Sequence, residues 1–160
     1  MPVIQHAVYI GIDPGQSGGL VALYNDRVVA DAMPATERDI WDWFNPPRSP
    51  AVPVSVYAVI EKVHSMPNQG VSSTFKFGCG YGGLRMALIA AGIPFEEVTP
   101  QAWQKAMGIP RREKTESKTQ WKNRLRSIAQ QLFPSEKVTL KTSDALLIAE
   151  YCRRKNRGLL

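Results

Sequence analysis

Three acidic residues lie at points where an apolar segment meets a turn. Asp13 follows the β-branched segment 8–12, Glu61 follows the apolar segment 54–60, and Asp144 stands in the sequence KTSDALLIAEY. An ionised carboxylate at the end of a buried strand is costly unless a cation or a hydrogen-bond donor compensates it. A divalent metal ion would compensate all three. The pattern therefore predicts that folding brings these carboxylates to one metal-dependent site.

Each acid also has an ordinary structural explanation. Asp13 lies in the glycine-rich sequence GIDPGQSGGL, which is also typical of a simple hairpin turn. A buried ion pair between Glu61 and Lys62 is disfavoured, because adjacent strand residues face opposite sides. Asp144 begins a predicted helix, where a first-turn acid commonly stabilises the helix dipole. Taken singly these explanations compete with catalysis, and the three acids gain weight as a set.

Positive charge is unevenly distributed along the chain. Residues 1–100 contain 6 Lys and Arg against 9 Asp and Glu, whereas residues 101–160 contain 14 against 5. A basic half is typical of a polyanion partner, because neutralising phosphates releases counterions, and a merely solvated basic face is the alternative. With 160 residues and 44% hydrophobic content, the chain can bury one core, so we expect a single domain over residues 1–160.

The two cysteines, Cys79 and Cys152, have neither CxxC nor Cys/His spacing. We therefore expect reduced, structural thiols rather than a zinc site or a disulfide framework. The N-terminal sequence has no basic region followed by a long apolar stretch, and no uncharged segment approaches the roughly 20 residues that span a bilayer. We expect a soluble, intracellular, cytoplasmic protein with no membrane partner.

Apolar periodicity and turn residues predict alternating strands and helices. Strands are expected at 5–12, 18–24, 27–33, 54–63 and 95–98, the first three forming an antiparallel meander. Helices are expected at 36–44, 73–91, 100–107, 117–133 and 142–155. The Pro-rich sequence NPPRSPAVP connects the first helix to the fourth strand. This order is typical of an α/β fold.

The helix expected at 73–91 contains four glycines, each of which costs up to about 1 kcal/mol relative to alanine in a helix. Close approach of another helix would explain them. Gly78, Gly82 and Met86 recur four residues apart and would offer a flat stripe to a twofold-related copy of the chain. Tight packing of the helix on its own sheet is the alternative.

Five segments together resemble the RuvC-type Holliday junction resolvases of the RNase H-like superfamily. They are GIDPGQSGGLVAL, VIEKV, STFKFGCGYGGLRMALIAAG, VTPQAWQKAMG and SDALLIAEY. The resemblance implies an RNase H-like α/β fold, with a mixed five-stranded sheet of three antiparallel strands and then parallel strands, flanked by helices. It also implies a homodimeric, nucleoid-associated endonuclease that resolves four-way DNA junctions by paired symmetric nicks.

The same resemblance implies that Asp13, Glu61 and Asp144 are catalytic metal ligands. Two Mg²⁺ or Mn²⁺ ions about 3.5 to 4 Å apart would stabilise the attacking water and the leaving 3′-oxygen. Asp13 would bridge the ions, with the other two acids on either side. Resolvases of this type usually have another acid three residues before the last one, where this chain has Lys141. On the same helical face as Asp144, Lys141 would pair with it or neutralise the scissile phosphate, unless it is only a solvated surface lysine.

DNA contacts follow from the resemblance and from the basic residues. We expect Lys76 to contact backbone phosphate, and His64 with Met66 to pack against unstacked bases, a capping or packing role for His64 being the alternative. Five further residues fit phosphate binding, of which Lys118 best matches a lysine of the family. They are Arg111, Arg112, Lys114, Lys118 and Lys122.

Three other functions compete with junction resolution. A ribonuclease H acting on RNA–DNA hybrids shares the fold and the metal chemistry but not the glycine-rich helix. A catalytically weak or inactive junction-binding protein is credible because Lys141 replaces an acid. An actin-like ATPase shares the Asp-Pro-Gly turn, but it would need a second lobe for which 160 residues are too few.

Overall fold

Five strands and five helices follow the predicted order within the part of the chain that the structure, a computed structural model, describes: residues 6–46, 54–64 and 67–160. The strands are β1 (His6–Asp13), β2 (Gly19–Leu23), β3 (Val28–Ala32), β4 (Val54–Glu61) and β5 (Phe95–Val98). The helices are α1 (Glu37–Phe44), α2 (Val71–Ala90), α3 (Pro100–Ala106), α4 (Lys118–Leu132) and α5 (Ser143–Asn156). Predictions for Gln5, most of the Pro-rich connection and Met66 lie outside the described residues.

The strands form one mixed sheet in the order β3-β2-β1-β4-β5. β1 and β2, like β2 and β3, pair antiparallel, whereas β1 pairs in parallel with β4 and β4 with β5. This confirms the expected sheet of antiparallel followed by parallel strands. Because Ile12 of β1 stands opposite Ile60 of β4, the next residue of each strand, Asp13 and Glu61, comes out at the same edge of the sheet.

Side chains alternate between two apolar cores, one on each face of the sheet. Val8, Ile10 and Ile12 of β1 pack in the core that α1 and α2 cover. Tyr9 packs in the other core, which α3, α4 and α5 cover. Since β1 lies in the middle of the sheet and is buried from both sides, its sequence is continuously apolar rather than alternating.

Gly11 lets α5 lie directly on β1. A β-carbon at this position would clash with the backbone of Ala145 and Ala149, so only a glycine permits the helix to pack this closely. The first turn of α5, which contains Asp144, is thereby held at the end of β1. Gly11, which has no side chain, thus determines where the third acid, Asp144, is placed.

The helices and cysteines refine two of the sequence expectations. No helix in the described residues is both long and apolar enough to cross a membrane. Cys152 is buried and Cys79 is exposed on α2, and neither forms a disulfide. The expectation of a structural thiol therefore fits Cys152, but it was wrong for Cys79, because that face of α2 has no covering element among the described residues.

Candidate active site

Three elements bring the predicted acids to one edge of the sheet. Asp13 is the last residue of β1, Glu61 is the last residue of β4, and Asp144 lies in the first turn of α5. Asp13 and Asp144 are only 8% and 6% exposed. We call these three residues the carboxylate cluster. Its members are close enough for the charges of Asp144 and Glu61 to act on Asp13.

The surroundings of Asp13 strongly disfavour its ionised form. Burial, followed by the negative charges of Asp144 and Glu61, raises the pKa of Asp13 well above its ordinary value, against the opposing effect of Lys122. The turn after it is built from glycines: Gly15 has a left-handed backbone, and a β-carbon on Gly18 would clash with the Asp13 carbonyl. The chain therefore reverses tightly beside a buried carboxyl group whose pKa is raised by its surroundings.

Glu61 is held by an indole. Trp103 of α3 is completely buried, and its Nε1–H donates a hydrogen bond of 2.8 Å to Oε2 of Glu61. The pKa of Glu61 is raised to about 6: burial, the largest cause, and the charge of Asp144 raise it, whereas the Trp103 hydrogen bond and the charge of Lys122 lower it. The hydrogen bond fixes one carboxylate oxygen and leaves the other available to a ligand.

Asp144 is paired with a lysine from a different helix. Lys122 of α4 donates from Nζ to Oδ2 of Asp144 at 2.7 Å, and the Ser143 hydroxyl donates to Oδ1 at 3.4 Å. Burial would lower the pKa of Lys122, but Asp144, Asp13 and Glu61 outweigh it and raise the pKa above its ordinary value. The ammonium group therefore stays charged and supplies the positive charge that the cluster has within the chain.

The donor set suits a hard divalent cation, although the side chains do not form a finished cage. Carboxylate oxygens are the ligands that Mg²⁺ and Mn²⁺ prefer, and three acids balanced by one lysine leave negative charge to be neutralised. As the side chains stand, no three His, Cys, Asp or Glu residues within 6–46, 54–64 and 67–160 form a group that could hold a metal ion. The two-ion site that the sequence predicts therefore stays a prediction.

Lys141 does not pair with Asp144 in the way that the sequence analysis considered. α5 begins at Ser143, so Lys141 lies in the turn before the helix, and the i, i+3 argument does not apply to it. Lys141 is exposed, and the ion pair of Asp144 is formed by Lys122 instead. A catalytic role for Lys141 stays a prediction without a contact to support it.

The predicted DNA-binding residues divide into an exposed set and one residue that is bonded to the carboxylate cluster. Exposed side chains that remain available to a phosphate backbone are His64, Lys76, Arg111, Arg112, Lys114 and Lys118. Arg112 additionally donates from Nε to the Glu116 carbonyl at 3.0 Å, which stiffens the segment before α4. Lys122 differs from the exposed set because it is half-buried and bonded to Asp144 of the carboxylate cluster, and its predicted phosphate contact stays a prediction.

The glycine stripe of α2 faces open space in the described structure. β-Carbons added to Gly78 or Gly82 would meet no atom within 4 Å, and Met86 is 60% exposed. Tight packing on its own sheet, the alternative explanation for these glycines, is therefore wrong. Further exposed apolar residues extend the same side of the helix, and we call this set the exposed face of α2. It comprises Val71, Phe75, Gly78, Cys79, Gly82, Met86 and Ile89.

Two residues of the site were not identified in their roles from the sequence. Trp103 lies in VTPQAWQKAMG, where a buried tryptophan needs a partner for its N–H, and this was the signal that could have suggested an acid nearby. Lys122 lies four residues after Lys118, one helical turn deeper along α4. Its place in the sequence gave no sign that it points to Asp144, because that contact joins two helices.

Comparisons with known proteins identify the fold. No protein-family model matches the sequence, and no curated protein does. A structure described as T. thermophilus RuvC in complex with Holliday junction substrate has a TM-score of 0.59 and 16% identity, with 96% of each chain covered. A Thermus thermophilus RuvC structure has a TM-score of 0.56 and 16% identity, over 95% of this chain and 97% of that one. The chain has the RuvC-like, RNase H-like fold that the sequence motifs predicted.

Proposed function

We propose that this protein is a divalent-metal-dependent endonuclease that resolves four-way DNA junctions by paired, symmetric nicks. The observation that carries the proposal is the carboxylate cluster at the sheet edge of a RuvC-like fold. One of the solved structures with this fold is described as a complex with a Holliday junction substrate. A cluster with only a structural role would lower the stability of the fold, because buried acids of like charge oppose folding.

Asp13, Glu61 and Asp144 would hold Mg²⁺ or Mn²⁺, two ions in the full site. The bound metal supplies Lewis-acid stabilisation of the negative charge that develops on the scissile phosphate. Trp103 keeps the Glu61 carboxylate in one orientation through its 2.8 Å hydrogen bond. Lys122 contributes a positive charge at Asp144 while the metal is absent. The Trp103–Glu61 contact is formed before DNA arrives, so Glu61 requires little reorganisation during the reaction.

The exposed basic segment supports a DNA partner. Arg111, Arg112 and Lys114 precede α4, and Lys118 is its first residue, on the same helix that carries Lys122 into the cluster. Phosphate contacts along this segment would position the DNA backbone near the carboxylate cluster. His64 is exposed after β4 and Lys76 is exposed on α2, and both would contact the DNA from the face of the sheet opposite α4.

A homodimer would cover the exposed face of α2. Apolar side chains and glycines without side chains form a surface on which a twofold-related helix can approach closely. Two copies would bring two clusters to one junction, which is the arrangement that symmetric nicking requires. The proposal of paired nicks therefore depends on this contact.

One assay separates the candidate activities. Labelled four-way junction, linear duplex and RNA–DNA hybrid are incubated with the protein and Mg²⁺, Mn²⁺ or EDTA, and any nicks are mapped. We expect two symmetric nicks in the junction, dependent on metal, with duplex and hybrid left intact. Cleavage of the hybrid alone would identify a ribonuclease H. Tight junction binding with no nicking in either metal would identify a binding protein and contradict the proposed activity.

Dimerisation is tested by crosslinking at Cys79. This thiol lies on the exposed face of α2, whereas Cys152 is buried, so a short bismaleimide should react at Cys79 alone. In a twofold contact through α2 the two thiols come from symmetric positions, and we expect a covalent dimer at low protein concentration. The variant Cys79→Ser is the matched control and should give none. Sedimentation as a monomer at micromolar concentration would contradict the dimer.

A further inference from the structure

We propose that Lys122 is a built-in counter-ion that competes with the divalent metal for Asp144. The inference rests on the proposed metal-dependent function and adds to it a step that the metal-free protein must undergo. Lys122 stabilises the cluster while the metal is absent, and it must release Oδ2 of Asp144 before that oxygen becomes a ligand.

The contact geometry gives Lys122 this role. Its Nζ lies 2.7 Å from Oδ2 of Asp144, a distance typical of a strong charge-assisted hydrogen bond. The Asp144 side chain is 8% exposed, whereas that of Lys122 is 38% exposed. Lys122 therefore reaches a buried acid from the rim of the site, and its long side chain can swing into solvent without disturbing the core.

The charges around the Lys122–Asp144 contact support the same role for Lys122. Asp13 and Glu61 also attract the ammonium, so Lys122 serves the whole cluster rather than one acid. Three carboxylates with one ammonium remain negative, which favours entry of a cation. A divalent ion brings twice the charge of Lys122 and repels it at short range. Metal and lysine are therefore alternatives at Asp144.

The other lysines do not share this position. Lys141, which the sequence places nearest Asp144, is exposed in the turn before α5 and forms no ion pair with the described residues. Lys118, one turn earlier on α4, is likewise exposed. Exchange at Asp144 is therefore specific to Lys122, and a neutral residue of similar length there should separate its two effects.

Lys122→Met separates the two effects of Lys122, because loss of the lysine should strengthen metal binding but destabilise the metal-free fold. Without the competing ammonium, Mn²⁺ should bind at least about tenfold more tightly to the variant, as measured by isothermal titration calorimetry without DNA. Without the internal counter-ion, the metal-free variant should unfold at a lower temperature in the presence of EDTA. Lys122→Gln provides a second test with a polar side chain in case the methionine variant folds poorly.

Arg126→Met is the matched control. Arg126 lies one turn after Lys122 on α4, is exposed, and forms no ion pair with the described residues. The substitution changes the net charge by the same amount, so a long-range electrostatic effect would appear in both variants. We expect wild-type Mn²⁺ affinity for Arg126→Met, and equal tightening in both variants would overturn the role of Lys122.

The outcomes distinguish this inference from the function on which it rests. If Lys122→Met and Lys122→Gln bind Mn²⁺ no more tightly than the wild type, Lys122 is merely structural, and the metal-dependent function stands. If neither the wild type nor the variants bind Mn²⁺, both proposals are wrong. Asp13→Asn is included to show that the measured heat comes from the cluster, and it should lose most of the binding.

Discussion

The carboxylate cluster and the exposed face of α2 both depart from the usual distribution of residues, in which apolar side chains are buried and polar side chains are exposed. In the cluster, Asp13 and Asp144 are buried where apolar side chains belong. On α2, Phe75 is 72% exposed and Met86 is 60% exposed, where polar side chains belong. Both arrangements cost stability, and neither is fully compensated by the described residues.

The difference teaches what kind of partner each region needs. The cluster has an internal cation, Lys122, so its negative charge is partly neutralised within the chain, and the proposed metal would neutralise the remainder. The α2 face has no covering element in the described ranges, and its glycines meet open space. An apolar surface of this kind is typical of a contact with another protein surface, and the proposed second copy of the chain would supply one.

The largest expected effect comes from Asp13→Asn. Loss of a central ligand should reduce junction nicking by at least about 10³-fold, comparable to removing a principal charge-stabilising group from an active site. Junction binding should persist, because the exposed basic residues are unchanged.

Asp13→Asn should also change the stability of the metal-free protein. Since burial and neighbouring acids raise the pKa of Asp13, a neutral asparagine removes a group that opposes folding at neutral pH. Metal-free Asp13→Asn should therefore melt at a higher temperature than the wild type at pH 7.5. A variant that retained the nicking rate would show that the cluster is not the active site.

Met86→Arg should have the next largest effect, on the α2 face alone. A twofold contact would receive two like charges, which cost several kcal/mol, so the dimer dissociation constant should rise by at least about 100-fold. Sedimentation equilibrium measures it, and circular dichroism should show an unchanged fold. Leu132→Arg, at an exposed apolar site on α4, is the control and should remain dimeric. Equal dissociation of both variants would point away from α2.

Trp103→Phe should slow single-turnover nicking by about 10- to 100-fold, because the donor that orients Glu61 is lost while most of the ring packing remains. Its second effect is diagnostic. The hydrogen bond lowers the pKa of Glu61, so its removal should move the acidic limb of the pH–rate profile to higher pH. An unchanged profile with a slower rate would indicate a packing defect instead.

The smallest effect concerns stability against pH in the metal-free protein. The pKa of Glu61 is raised from 4.5 to about 6, so the folded state binds its proton more tightly than the unfolded state does. This contribution is present below pH 4.5 and is lost as the pH rises through 6, with a total of about 1 to 2 kcal/mol. Urea titrations at pH 5 and pH 7 measure it. Glu61→Gln should flatten the change, and an identical slope in that variant would exclude Glu61.

The sequence was sufficient for features that depend on local pattern. Apolar strands with an acid at the end predicted β1 and β4, the order of elements predicted an α/β fold, and the family resemblance implied the mixed sheet. The small errors are local too: β4 ends at Glu61 rather than at residue 63, and α2 begins at Val71 rather than at residue 73. Such boundaries depend on the competition between turn and helix in a few polar residues.

Contacts between distant elements could not be read from the sequence. Lys122 and Asp144 are 22 residues apart, and Trp103 and Glu61 are 42 apart, so both pairs depend on how helices pack on the sheet. Pairing of Lys141 with Asp144, one of the two roles considered for this lysine, was wrong because the helix begins after it. Gly11, which lets α5 reach β1, could be recognised only once the helix was in place.

Diffraction from crystals soaked in Mn²⁺ tests the central claim most directly, because anomalous scattering locates the ion without reference to activity. We expect an anomalous peak coordinated by oxygens of Asp13, Glu61 and Asp144, with Lys122 turned away from Asp144. A well-occupied peak elsewhere on the chain, with these three carboxylates still in their metal-free contacts, would contradict it.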